Sequence, residues 1–239
     1  MKAEFFLCPI EGVWGLDLAI RDPKATVQDL IEAIQPWCDD EHIHKLYMEG
    51  YQGACRGCAV NCCRECFVLP DAISFRWLQE HLRLEPAEFI RQYFDPERLA
   101  KGLPRLKSSP CAFLREDLCT VYPYRTLICR LYICTPMADE AQTLVYGTVA
   151  AGIGEFLRIA RTEGYLPKAE EAVEARSAAC TGYEKLMLEL IQGEAERPDN
   201  PFRGALKYEE VSLRAFCTEA EWQRLTANAK RGSGARADR

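Results

Sequence analysis

Nine of the chain's 13 cysteines fall between Cys55 and Cys134, in two groups. The first runs Cys55-Arg-Gly-Cys58-Ala-Val-Asn-Cys62-Cys63-Arg-Glu-Cys66. Cys55 and Cys58 have the two-residue separation of a chelate, and Gly57 permits the tight turn that brings both sulfurs onto one ion. Cys63 and Cys66 repeat that spacing. Cys62 and Cys63 are adjacent, and neighbouring side chains tend to diverge, so they are expected to serve different metals or different irons of one cluster. The second group is Cys111, Cys119, Cys129 and Cys134, more widely spaced, as when ligands return from another part of a fold. The candidate metal ligands are therefore Cys55, Cys58, Cys62, Cys63, Cys66, Cys111, Cys119, Cys129 and Cys134.

The density of these thiols argues against ordinary buried cysteines. Disulfides are the habit of oxidising compartments, and the N-terminal residues show no secretory signal, so a cytoplasmic location is expected. Four thiolates in a tetrahedron suit zinc, and four also hold a [4Fe–4S] cluster. Eight or more thiolates with an adjacent pair exceed one structural zinc site, which favours one or two iron–sulfur clusters over zinc. The spacing differs from the ferredoxin run and from the radical-enzyme pattern, in which Glu65 would have to be cysteine.

Arg125 and Arg130 flank Cys129 and are candidate cofactor-binding residues, able to donate to cluster sulfurs or offset thiolate charge. The alternative for both is a structural ion pair with Glu116, Asp117 or another carboxylate. Tyr122 and Tyr124 are expected to pack around the site. His42 and His44 read as surface residues, and His81 as a partly buried helical residue. Cys8, Cys38, Cys180 and Cys217 stand alone and read as small buried side chains.

The cysteine pattern resembles the YkgJ-like CxxCxxCC proteins, a zinc- or iron-chelating domain with about eight shared cysteines. The residues that carry the resemblance are Cys55 to Cys63, Leu84-Glu-Pro-Ala-Glu-Phe89, Cys111-Ala-Phe-Leu, Cys119-Thr-Val-Tyr, Arg125 and Cys129-Arg130. They lie within about residues 50–135. The chain departs from the family twice. Three residues, not two, separate Cys58 from Cys62, and Arg125 is followed by Thr126 where the family has proline. Cys66 or Cys134 is left to supply the eighth thiolate. The family's metal is zinc or iron. A distant similarity to the cysteine domain of flagellin lysine-N-methylases also implies a protein-lysine methyltransferase-like alternative, for which no local S-adenosylmethionine motif is present.

The elements that must position these cysteines are mainly helical. Leu16, Leu18 and Ile20 alternate with polar or small residues and predict the second strand of an N-terminal hairpin. Thr26 is placed to cap a helix whose apolar face is Val27, Leu30, Ile31, Ile34 and Trp37. Helices are predicted over 71–84, 86–93, 139–162 and 183–192, with a loop from 94 to 110 between them. Thr218-x-x-Glu221 is a capping box that opens a last helix. Gly147, Gly152 and Gly154 are unfavourable inside a helix and predict close packing there.

The expected fold is α+β and mainly α-helical, with a small N-terminal sheet and helices packed around a cysteine-ligated metal site. The expected segments are 1–48 (hairpin plus helix), 49–137 (cysteine-cluster metal-binding region), 138–228 (helical region) and 229–239 (disordered tail). A net charge of −6 gives no basic face for nucleic acid, and no apolar run is long enough to span a membrane. The expected partner is a redox or other protein partner of unknown identity.

Overall fold

A computed structural model describes residues 1–39, 62–64, 66–167 and 181–230. Cys55, Cys58, His42, His44, Cys180 and residues 231–239 of the expected C-terminal tail lie outside the described residues, while Ala229 and Lys230 belong to a 3₁₀ turn, Asn228–Lys230. Those residues contain eight α-helices and a small N-terminal two-stranded antiparallel sheet, an α+β fold that is mainly helical.

The described chain divides into two compact units, each made of separate stretches of sequence. The first takes residues 1–61, 130–148 and 205–239, and the second 62–129 and 149–204. In the first unit, β1 (Ala3–Ile10) pairs with β2 (Val13–Ile20) through the turn at Glu11 and Gly12, both with positive φ. Leu16, Leu18 and Ile20 are buried, as their alternation requires. Gly15 is needed where it stands: a Cβ there would meet Pro136 O at 2.9 Å. Next to it Leu16 N–H donates to that same carbonyl. Helix α1 (Val27–Cys38) opens on a capping box between Thr26 and Asp29 and buries the predicted apolar face. Val27 N–H donates to Val211 O, and Leu213 N–H to Ala25 O, which anchors the stretch before α8 (Glu219–Ala227). That helix begins at the predicted Thr218–Glu221 capping box.

The second unit is built on aromatic packing. Helix α2 (Ala72–Leu82) presents Phe75 to Phe89 of α3 (Pro86–Tyr93), with ring centroids 5.6 Å apart. Phe75 also meets Phe94 at 6.2 Å and Phe156 of α6 (Asp139–Thr162) at 4.4 Å. Phe89, Phe94 and Phe156 are almost fully buried, so these contacts are a core and not a surface. The stretch expected as loop from 94 to 110 contains the short helix α4 (Pro96–Ala100). Its signal was local: Asp95 caps it by accepting from Glu97 and Arg98 N–H, and Pro96 sits at the first helical position. The later helices are α5 (Leu127–Leu131) and α7 (Gly182–Glu196).

Two of the three glycines in α6 answer the prediction of close packing. A Cβ at Gly152 would meet Asp71 Cβ at 2.9 Å, and one at Gly154 would meet Glu194 Cβ at 2.5 Å and its backbone at 2.8 Å. Gly147 differs, having nothing within 4 Å of such a Cβ. Gly154→Ala should destabilise the protein by about 1–3 kcal/mol, because backbone of α7 must move. Gly147→Ala should stabilise it by about 1 kcal/mol through helix propensity alone. Urea denaturation of both variants checks the contrast.

Candidate metal centre

The second unit brings six of the nine candidate cysteines together. Cys62 and Cys63 lie on a 3₁₀ turn, Cys62–Arg64, and Cys66 follows on the same stretch. Cys111 N–H donates to Cys63 O at 2.8 Å, which stitches the second cysteine group to the first. Cys111 then leads into a hairpin of β3 (Leu114–Arg115) and β4 (Leu118–Cys119). Glu116 and Asp117, with φ of 49° and 60°, form its two-residue turn, the geometry that matches strand twist in tight hairpins. Thr120 N–H and Oγ1 both donate to Phe113 O. Phe113 stacks on Tyr93 at 4.7 Å, so the hairpin that carries Cys119 is fixed to the aromatic core. At the surface, Arg64 pairs with Asp117 at 2.6 Å, joining the 3₁₀ turn to the hairpin turn. Both partners are well exposed, so this pair adds little stability.

Cys129 is carried by α5, and a buried carboxylate holds that helix. Asp71 accepts from Ile73 N–H at 3.1 Å, Ser74 N–H at 3.0 Å and Ser74 Oγ at 2.5 Å, capping α2. Its Oδ2 also accepts from Leu127 N–H at 2.9 Å, the first residue of α5. One side chain therefore caps α2 and fixes the start of the helix bearing Cys129.

The thiols act on one another. Cys62 and Cys63 are in contact, and so are Cys66 and Cys111. Within each pair the neighbouring thiol favours the first ionisation, while burial and the charge that the first leaves oppose the second. Cys129 is pushed up to about 12 by burial, with Thr126 opposing and Cys111, Cys119 and Cys62 adding to the rise. Burial also raises Cys119, while the Arg125 charge draws it down.

Arg125 is buried. It donates from Nε to Cys129 O at 3.0 Å and from Nη1 to Tyr122 O at 3.1 Å, and its guanidinium lies 3.8 Å over the Tyr122 ring. It braces the Cys129 turn through backbone carbonyls and lends its charge to Cys119. Arg130 lies in the last turn of α5, half-buried, and belongs with Cys134 to the first unit. Cys134 is half-buried. Tyr124 stacks on His81 at 4.1 Å, and His81 is exposed, not partly buried as expected, because it uses Tyr124 as its cover on one face only. Among the single cysteines, Cys38 is buried and donates to Tyr132 O at 3.8 Å, while Cys8 and Cys217 are half-buried.

The donor set fits a soft metal. Thiolates are the ligands that zinc and iron–sulfur clusters take, and each of these six thiols interacts electrostatically with at least one other. Among the described residues, no three or more His, Cys, Asp or Glu side chains form by themselves a group that could hold an ion.

Residues 54–151 match the family model CxxCxxCC, described as "Putative zinc- or iron-chelating domain". This is the family that the cysteine spacing resembles. The match supports metal chelation by this segment, and it extends into α6. No curated protein and no solved structure matches the chain. No helix among the described residues is long and apolar enough to cross a membrane.

Two signals were open to sequence reading and missed. Asp71 precedes Ala72 at the start of a helical pattern, an N-cap position, and the charged run Arg115-Glu116-Asp117 between Leu114 and Leu118 marks a turn. Asp71→Ala should remove the α2 cap, worth about 0.5–2 kcal/mol. It also leaves the buried Leu127 N–H without its acceptor, a further loss of about 1–3 kcal/mol. A fall in the urea midpoint together with a lower metal content checks this; an unchanged midpoint would remove Asp71 from its role as a tie.

Proposed function

We propose that the chain is an iron–sulfur protein whose cluster, of the [4Fe–4S] kind and one or two in number, serves electron transfer or a redox or group-transfer reaction. The observation that carries this reading is the convergence of Cys62, Cys63, Cys66, Cys111, Cys119 and Cys129, two more sulfurs than one tetrahedral zinc ion takes. Cys55 and Cys58 join them as ligands on their chelate spacing. Of the two candidates for a further thiolate, Cys66 is favoured by its contact with Cys111. Cys134 remains a ligand candidate from its position in the sequence.

When bound, the cluster would supply reversible one-electron chemistry at a potential set by its surroundings. The chain's own residues then have separate parts. Thiol ligands must give up their protons to bind metal, so loading the site releases protons. Arg125 holds the Cys129 turn and places positive charge beside Cys119, which offsets the thiolate charge that gathers there. Arg130 is proposed for the same electrostatic part from the other side of Cys129 in sequence. A partner that exchanges electrons with the site, in the cytoplasm, completes the reading.

Protein isolated without oxygen should be brown and contain iron and acid-labile sulfide. Stoichiometric zinc without sulfide would replace this reading with a zinc-stabilised module, which should lose its fold to chelators. Cys129→Ser and Cys119→Ser should each lower the metal content; an unchanged content would strike that residue from the ligand set.

A further inference from the structure

We propose that Thr126 is a positioning residue for the metal centre, holding the Cys129 sulfur by a hydroxyl hydrogen bond and strengthening its grip on the metal. This inference rests on Cys129 being a ligand. Thr126 Oγ1 lies 3.3 Å from Cys129 Sγ, a normal separation for an O–H···S bond. Thr126 is buried, with 2% of its surface exposed, so water competes little for its hydroxyl. The backbone around the bond is fixed twice over: Leu127 N–H is held by Asp71, and Cys129 O by Arg125. The hydroxyl therefore does not search for its partner but is delivered to it.

The bond is worth more once Cys129 loses its proton. A hydrogen bond to an ionised acceptor is roughly twice as strong as a neutral one. Proline, which the resembled family carries after the arginine, has no side-chain donor, so this bond belongs to the chain's own sequence at Thr126.

The test compares wild type, Thr126→Ser and Thr126→Val as full chains, isolated without oxygen in their metal-loaded form. Competition with a graded chromophoric chelator gives relative metal affinity, and urea denaturation of the metal-free chains gives stability. Thr126→Val keeps the shape and loses the donor, and should weaken metal retention by about 10-fold or more, in the range of outer-shell partners. Thr126→Ser keeps the donor and should stay within about threefold of wild type by the same scale. If the centre is iron–sulfur, Thr126→Val should also shift its reduction potential downward, since the lost donor favours the more negative reduced state, while Thr126→Ser should not. Equal retention in Val and wild type overturns the proposal. Equal weakening in Ser and Val also overturns it, because packing and not the hydroxyl would then be the cause. Should Val fail to fold, Thr126→Ala is read in the same way. A wild-type chain carrying zinc sinks the iron–sulfur reading yet leaves the chelator comparison decisive for Thr126. A wild-type chain carrying no metal sinks both.

Discussion

A buried carboxylate is stable only if its oxygens are filled, and Asp71 fills its own from two helices at once. Three of its bonds cap α2, and the fourth takes the first N–H of α5. Gly152 lets α6 come so close to Asp71 that a single methyl group there would collide. Fold and site meet at this residue. The register of α5, and with it the position of Cys129, depends on a capping bond formed 56 residues earlier in the chain.

Around that anchor the site is held by a mixture of soft and hard devices. The hairpin bearing Cys119 is locked by left-handed backbone at Glu116 and Asp117 and by Phe113 in the aromatic core. The turn bearing Cys62 and Cys63 is held by one backbone bond to Cys111 and one exposed ion pair. Cys62 and Cys63, and Cys66 and Cys111, act on one another, and burial opposes the ionisation of Cys119 and Cys129.

Much of this was legible in the chain because the signals are local. Capping boxes at Thr26 and Thr218, the alternation of Leu16, Leu18 and Ile20, and the apolar face of residues 139–162 each depend on near neighbours in sequence. The cysteine spacing alone pointed to metal chelation, which the family match over 54–151 supports. The pairing of Cys66 with Cys111 was not legible, because no spacing rule links sulfurs 45 residues apart. Nor was the second bond of Asp71, for the same reason. Gly147 was grouped with Gly152 and Gly154 by composition, while only the tertiary neighbours distinguish them.

The interleaving of the second unit has a consequence for how the protein is made. Its parts are residues 62–129 and 149–204, so the stretch from 130 to 148 must leave the ribosome between them. All six of these cysteines are therefore synthesised before Gly152 arrives to pack against Asp71. The segment that carries these cysteines is thus complete before the second half of its own unit, residues 149–204, has been made, and its packing against that half must wait for the chain to return.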